Sequence, residues 1–282
     1  MNALTLDEII ERALAEDLGD GDVTSLSIYS PGMTGKARLL IKDEGILAGI
    51  PVAQKVFSRV DPSLQLTLYK KDGDPVKKGD IAFEVEGSVL SILSAERLVL
   101  NFMQRLSGIA TSTARIVSEL KGTKAKVLDT RKTTPNLREL EKYAVRTGGG
   151  FNHRFGLFDM VLIKDNHVDM AGGVINAIKA VHRYLEKSGR KGLKIEIEVR
   201  NLKELEDVLE YGGIDRIMMD NFTPENLTEA VHRINGRFET EASGGIKQDN
   251  IRSYAMTGVD FISVGALTHN FRSLDMSLKV TG

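Results

Sequence analysis

From about residue 124 the chain falls into an alternation of strand and helix, and that rhythm limits its fold more than any other feature. Apolar, strand-like runs stand at Ala125–Thr130, Met160–Lys164, Leu193–Val199, Arg216–Asp220, Phe238–Ser243 and Phe261–Gly265. Helical patterns lie between them at Pro135–Thr147, Val174–Lys187, Leu202–Tyr211, Pro224–Ile234 and Asp249–Met256. The last four strands start roughly 23 residues apart, the repeat of a parallel α/β fold. No glycine-rich dinucleotide fingerprint follows the first strand, which argues against a doubly wound sheet. Six strands are fewer than the eight of a closed barrel. The expectation is an α/β fold, an open, incomplete barrel of about six parallel strands.

Residues 1–92 have a different rhythm. A short helix, Leu6–Glu16, precedes strand-like runs at Gly35–Lys42, Leu64–Lys70, Ile81–Glu86 and Val89–Ile92. The turns Asp72-Gly73-Asp74-Pro75 and Lys78-Gly79-Asp80 separate some of them, as in an α+β layer. A long helix is expected from about residue 94. In it Leu98, Phe102, Leu106, Ile109 and Ile116 form one apolar stripe at 3.6-residue periodicity. Arg105 lies within that stripe. A guanidinium among apolar groups is costly unless it meets an anion or snorkels to water.

The chain has no cysteine, which excludes a disulfide framework, a thiolate nucleophile and a Cys-type zinc site. The N-terminal run is acidic and amphipathic, unlike a signal peptide. No apolar run approaches the roughly 18 residues of a membrane span. A cytoplasmic protein is expected. The formal net charge is −1, yet Arg131, Lys132, Arg138, Lys142, Arg146, Arg154 and Lys164 crowd between Leu128 and His167. A local cationic excess in a near-neutral chain suits a small anionic ligand better than a nucleic acid.

The strand ends carry the chemistry. They finish in Arg131-Lys132, Lys164-Asp165-Asn166, Glu198, Asp220-Asn221, Ser243-Gly244-Gly245 and Gly265. In barrels the C-terminal strand ends and the loops that follow build the active site. Arg131, Arg154 and Lys164 suit carboxylates or phosphates. Thr134-Pro135 reads as an N-cap and first helical residue, and Gly148 as the stop. Gly148-Gly149-Gly150 would then present His153 and Arg154. Glu196 and Glu198 fall on one face of their strand, and Glu198 with Asp220 could hold a hydrated Mg²⁺ or pair with nearby cations. Ser243-Gly244-Gly245 and Val264-Gly265-Ala266 follow the last two strands, where barrels often bind phosphate through backbone N–H groups.

TRKTTPNLRELEKYAVRTGGGFNHRFGLFDMVLIKDNH resembles the signature of the quinolinate phosphoribosyltransferases. EIEVRNLKELEDVL, DRIMMDNFTPENL, EASGGI and ISVGALTH are similar to later motifs of that family, in the same order. ERLVLNFMQRLSGIAT and GDGDVTS match its central helix and N-terminal segment, so the resemblance covers nearly the whole chain. Asn136 stands where many relatives have glycine.

The resemblance implies an N-terminal α/β sandwich over 1–112, joined by a tail at 270–282, and an open barrel over 113–269. It implies decarboxylating transfer of a phosphoribosyl group from phosphoribosyl pyrophosphate to quinolinate, with Mg²⁺, in NAD biosynthesis. A homodimer, or a hexamer built of dimers, is implied, with Arg105 entering its partner's site. Arg131, His153, Arg154 and Lys164 would bind the quinolinate carboxylates. Lys132, beside Thr130 in the substrate loop, would face the pyrophosphate or a carboxylate. Glu198 and Asp220 would hold ribose hydroxyls and the metal. Ser243, Gly244, Gly245, Val264, Gly265 and Ala266 would cradle phosphate. Lys132, Lys164, Glu198 and Asp220 are the expected catalytic residues. Three readings stay open beside this one: a transferase for another aromatic acid, a Schiff-base lyase using Lys164 or Lys132, and an anion binder without turnover.

Overall fold

In the computed structural model, which describes residues 4–281, the chain divides into two units. One comprises Met1–Ala114, Thr133–Gly149 and Asn270–Gly282; the other comprises Arg115–Lys132 and Gly150–His269. In chain order the elements are α1 (Leu6–Leu18), α2 (Val23–Ile28), β1 (Thr34–Ile41), β2 (Gly45–Ile46), α3 (Ile50–Val60), β3 (Gln65–Leu68), β4 (Pro75–Val76), β5 (Ile81–Ser88) and α4 (Val89–Glu119). There follow β6 (Lys126–Leu128), α5 (Arg138–Thr147), β7 (Val161–Ile163), α6 (Asp165–Ala171), α7 (Val174–Lys187), β8 (Ile195–Val199) and α8 (Leu202–Tyr211). The last are β9 (Arg216–Asp220), α9 (Pro224–Ile234), β10 (Glu239–Ser243), α10 (Ile251–Ala255), β11 (Phe261–Ser263), α11 (Ala266–His269) and β12 (Met276–Thr281).

The first unit is built on an antiparallel sheet of order β12-β1-β5-β3. Alternation sets its buried face: Ala37, Leu39 and Ile41 of β1 and Phe83 and Val85 of β5 lie in the core. Thr5 and Glu8 cap α1 reciprocally. The Asp72 carboxylate accepts the N–H groups of Gly49 and Ile50 at the start of α3, at 2.8 and 2.9 Å. The stripe on α4 is buried as its spacing predicts, from Leu98 through Ile116.

The second unit holds six parallel strands in the order β6-β11-β10-β9-β8-β7. The edge strands β6 and β7 do not pair with each other, so the barrel is open. The expected strands all appear, shortened at some ends where the chain turns out of the ladder. Asn201 caps α8, accepting from the N–H groups of Lys203 and Glu204, and Thr223 with Pro224 starts α9. Among the described residues no helix is long and apolar enough to cross a membrane.

Two local expectations fail. Val89–Ile92 is the first turn of α4, not a strand; Ile92, Ala95 and Val99 are buried at helical spacing, and β5 ends at Ser88, one residue after Gly87 at φ 146°. The helix expected from Pro135 begins at Arg138, with Leu137 as its cap residue. Asn136 is left-handed at φ 65°, which makes Pro135-Asn136 a turn. Thr134 therefore does not cap the helix. Its N–H donates to Glu141 Oε2 at 3.1 Å and its hydroxyl takes an Arg105 N–H. Asn136 keeps a conformation that asparagine tolerates better than most residues. Three short helices, α2, α6 and α11, lie outside the expected elements.

Candidate active site

Parallel strands deliver their C-terminal ends to one edge of the second unit, and each loop there is pinned by a specific contact. After β6 the Lys132 N–H donates to Thr130 Oγ1 at 3.1 Å, and the Thr268 hydroxyl of α11 donates to the Lys132 carbonyl at 2.8 Å. With the main chain so held, the Arg131 and Lys132 side chains are exposed. Arg154 donates to the Met160 carbonyl at 3.2 Å. Burial, and then the positive charge of Arg131, lower its pKa. Two guanidinium groups this close repel each other, and an anion between them would relieve that repulsion.

Lys164 ends β7 and opens α6. Its N–H donates to His167 Nδ1 at 2.9 Å, and its ammonium lies 3.1 Å from Glu198 Oε2 at the end of β8. On the neighbouring strand, Asn221 at φ 57° places its amide nitrogen 2.5 Å from Asp220 Oδ2 and donates its N–H to the Ser243 carbonyl at 2.8 Å. The acidic end of β9 is thus joined to the end of β10.

The ends of β10 and β11 offer backbone more than side chain. Gly244 has φ 95°, and a Cβ there would come within 2.3 Å of Asn221 Oδ1. Gly245 has φ 61° with nothing within 4 Å of an added Cβ. A Cβ at Gly265 would meet Lys132 Cδ at 3.1 Å and His269 Nε2 at 3.3 Å. Val264 is buried, so it can offer a ligand only its main chain. Ala266 opens α11.

His153 and Arg105 stand apart from this group. The His153 side chain is 7% exposed and turns inward: Nε2 lies 2.9 Å from Glu196 Oε2 and 3.6 Å from Glu241 Oε2. Arg216 closes the cluster, with Nη1 3.0 Å from Glu241 Oε2, Nη2 2.9 Å from Glu239 Oε2 and its guanidinium over the Phe261 ring at 4.1 Å. Burial pushes the Glu196 carboxyl up to about 7, with Arg216 pulling it back. Burial and the charge of Glu196 push Glu241 up to about 8. Arg105 belongs to the first unit, where it donates to the buried Glu141 and to Thr134 and lies 4.8 Å from the Phe271 ring centroid.

Sequence reasoning singled out neither Glu241, Arg216, Thr268 nor His269. The signal for Arg216 and Glu241 was a charge within a strand run, at the start of RIMMD and in the middle of ETEAS. Among the described residues, one group of three side chains offers ligand atoms close enough for a metal, His153 with Glu196 and Glu241, within 4.8 Å of one another. Glu198 and Asp220 end adjacent strands instead.

Comparison with known proteins agrees with this arrangement. The quinolinate phosphoribosyl transferase N-terminal domain matches residues 22–107, and the C-terminal domain of the same family matches 109–279. A Bacillus subtilis protein named probable nicotinate-nucleotide pyrophosphorylase [carboxylating] is 43% identical over 281 residues, covering 100% of this chain and 95% of its own length. The Arabidopsis thaliana nicotinate-nucleotide pyrophosphorylase [carboxylating], named as chloroplastic, is 47% identical over 98% of this chain and 82% of its own. The crystal structure of NadC from Streptococcus pyogenes superposes with a TM-score of 0.93 at 41% identity, covering 100% of this chain and 99% of that one. With both domain models matched in order and relatives aligned over almost their full length, the chain belongs to the quinolinate phosphoribosyl transferase family.

Proposed function

We propose that the chain transfers a phosphoribosyl group from phosphoribosyl pyrophosphate to quinolinate, releasing pyrophosphate and CO₂ and forming nicotinate mononucleotide, a step of NAD biosynthesis. One observation carries the reading: a group of cations, Arg131, Lys132, Arg154 and Lys164, shares a strand edge with the glycine backbone of Gly244, Gly245 and Gly265. A dicarboxylate and a pyrophosphorylated sugar repel each other, and cations between them offset that repulsion. Arg131, Arg154 and Lys164 take the carboxylates. Lys132, next to Gly265, faces the pyrophosphate. Ser243 through Gly245 and Val264 through Ala266 receive phosphate oxygens on their main chain.

No side chain need attack. The pyridine nitrogen forms the bond to the ribose carbon as pyrophosphate leaves, so the protein's work is to position and to stabilise charge. The carboxylate beside that nitrogen then departs as CO₂. Its electron pair remains on the ring carbon next to the pyridinium, and that carbon takes a proton from water. Glu198 and Asp220, hard oxygen donors on adjacent strands, fit Mg²⁺, which takes one or two carboxylates with substrate phosphates. Bound there, the ion would neutralise the departing pyrophosphate. Glu198 would meanwhile exchange Lys164 for ribose hydroxyls and metal.

A homodimer, alone or within a hexamer, in which Arg105 reaches the partner's site, and a cytoplasmic setting complete the proposal. The lyase reading draws no support from Lys164, whose Nζ is engaged by Glu198 at 3.1 Å. The test is stoichiometric. Purified protein with Mg²⁺, phosphoribosyl pyrophosphate and quinolinate should release one CO₂ for each nucleotide and should use nicotinate poorly. Nicotinate would leave part of the cation cluster without an anion. Turnover of nicotinate as fast as quinolinate, or nucleotide without CO₂, would overturn the reading.

A further inference from the structure

Among the described residues three non-glycine positions have a left-handed backbone, and all three are asparagines. Asn136 turns the chain ahead of α5, and Asn235 ends α9. Asn221, at φ 57°, has neither setting: it directly follows Asp220, the last residue of β9. Its N–H donates to the Ser243 carbonyl at 2.8 Å, one step past the pairing of Asp220 with Ser243. The ladder thus runs to the end of the strand, and the left-handed residue then turns the chain out of it.

The Asn221 side chain works in two directions. Its nitrogen lies 2.5 Å from Asp220 Oδ2, the orientation required by a carboxylate, which only accepts. Its oxygen lies toward Gly244, where an added Cβ would come within 2.3 Å of Oδ1 and 2.6 Å of Cγ. One amide therefore stands between the acidic end of β9 and the glycine main chain after β10. It takes Oδ2 of Asp220 and leaves Oδ1 for a hydroxyl or a metal. The side chain is exposed, so water can replace it as far as the fold is concerned. Water does not hold a carboxylate at a fixed place beside a ligand, and that is where the amide acts.

We infer that Asn221 is a positioning residue for the phosphoribosyl donor: its amide fixes the Asp220 carboxylate against the main chain of Gly244, so that the group for ribose and metal and the backbone for phosphate are set as one piece. The inference rests on the phosphoribosyl pyrophosphate site proposed above.

Two substitutions in the whole protein test it by steady-state kinetics with each substrate varied in turn. Asn221→Gly keeps the left-handed backbone and removes only the amide. It should raise the KM for phosphoribosyl pyrophosphate about tenfold, the loss of one hydrogen bond to a charged group. The Mg²⁺ concentration for half-maximal rate should rise with it, while the quinolinate KM and the thermal midpoint stay at the parent's values. Asn221→Asp keeps the shape of the side chain but sets a second carboxylate beside Asp220, and should raise the KM for phosphoribosyl pyrophosphate further. A KM for phosphoribosyl pyrophosphate equal to the parent's in either variant overturns the inference. So does an equal rise in both KM values, or a lowered midpoint in both variants, since each would mark a merely structural role. If the unaltered protein does not turn over quinolinate with phosphoribosyl pyrophosphate, the functional proposal fails and this inference falls with it; if only the variants behave like the parent, the inference alone falls.

Discussion

Glu196 and Glu198 occupy one face of one strand, two positions apart, in two different electrical settings. Glu198, at the rim, has Lys164 as its partner, and that lysine side chain is 47% exposed and can be drawn away. Glu196, one step deeper, is sealed from solvent with Glu241, His153 and Arg216. At the rim water can replace either partner, so a carboxylate can change hands between lysine, hydroxyl and metal. In the interior every charge must be matched within the protein, because leaving one unmatched costs several kcal/mol. If Glu198 handles ligand as proposed, depth along the strand, more than residue type, separates that role from holding the scaffold.

The comparison breaks most visibly through Arg216. Arg216→Met leaves buried carboxylates without their guanidinium and should lower stability by about 3–5 kcal/mol in denaturant titration. Arg233→Met, on the exposed pairs to Glu206 and Glu229, should scarcely move the midpoint. Similar losses at both sites would erase the distinction of depth.

Rim changes should instead act on substrates. Arg154→Ala should weaken quinolinate binding, by about 2–5 kcal/mol if the charge pair is desolvated, with phosphoribosyl pyrophosphate affinity nearly unchanged. Asp220→Asn should do the reverse, raising the Mg²⁺ concentration needed for half-maximal rate. Steady-state kinetics with each substrate varied would separate them, and parallel effects on both would argue against divided labour at the strand ends.

A smaller effect follows from Glu241. Its folded pKa, about 8, stands above the ordinary 4.5, so the folded state holds a proton that the unfolded chain gives up. The associated stability is complete below about pH 4.5 and drains away as pH rises to about 8, with a slope of at most about 1.4 kcal/mol per pH unit. Glu241→Gln should flatten that decline in thermal melts between those limits, while a slope equal to the parent's would place the proton elsewhere. Smallest of all, Asn201→Ala should cost about 1 kcal/mol through the lost cap of α8, read from the denaturation midpoint, and leave both substrate affinities alone.

Much of the second unit was legible because its information is local. Apolar runs at a steady interval mark strands, and the polar residue closing each run marks the site edge. Arg131, Lys164, Glu198 and Asp220 stood out for that reason. Val89–Ile92 was ambiguous because four apolar residues fit a period of 2 as well as one of 3.6. The start of α5 was hidden in a single left-handed asparagine. The interior cluster was out of reach for another reason. Arg216, Glu196 and Glu241 meet only because β8, β9 and β10 are neighbours at a particular register, and register between distant strands leaves no mark in the sequence of any one of them. The direction of the His153 ring depends on that same register.

The outermost pairing of the antiparallel sheet bears on how the chain emerges from the ribosome. The Thr281 hydroxyl reaches the Lys36 carbonyl 245 positions earlier, and β12 lies against β1 from Lys36 to Ile41. While translation runs, the hydrogen-bonding edge of β1 waits open until Met276–Thr281 has been made. A nascent strand left open so long invites pairing with another copy. Lys36 and Arg38 of β1 meanwhile pair with Glu86 and Glu84 of β5 at 2.7 and 2.6 Å, so the opposite edge of β1 can be covered long before β12 is made.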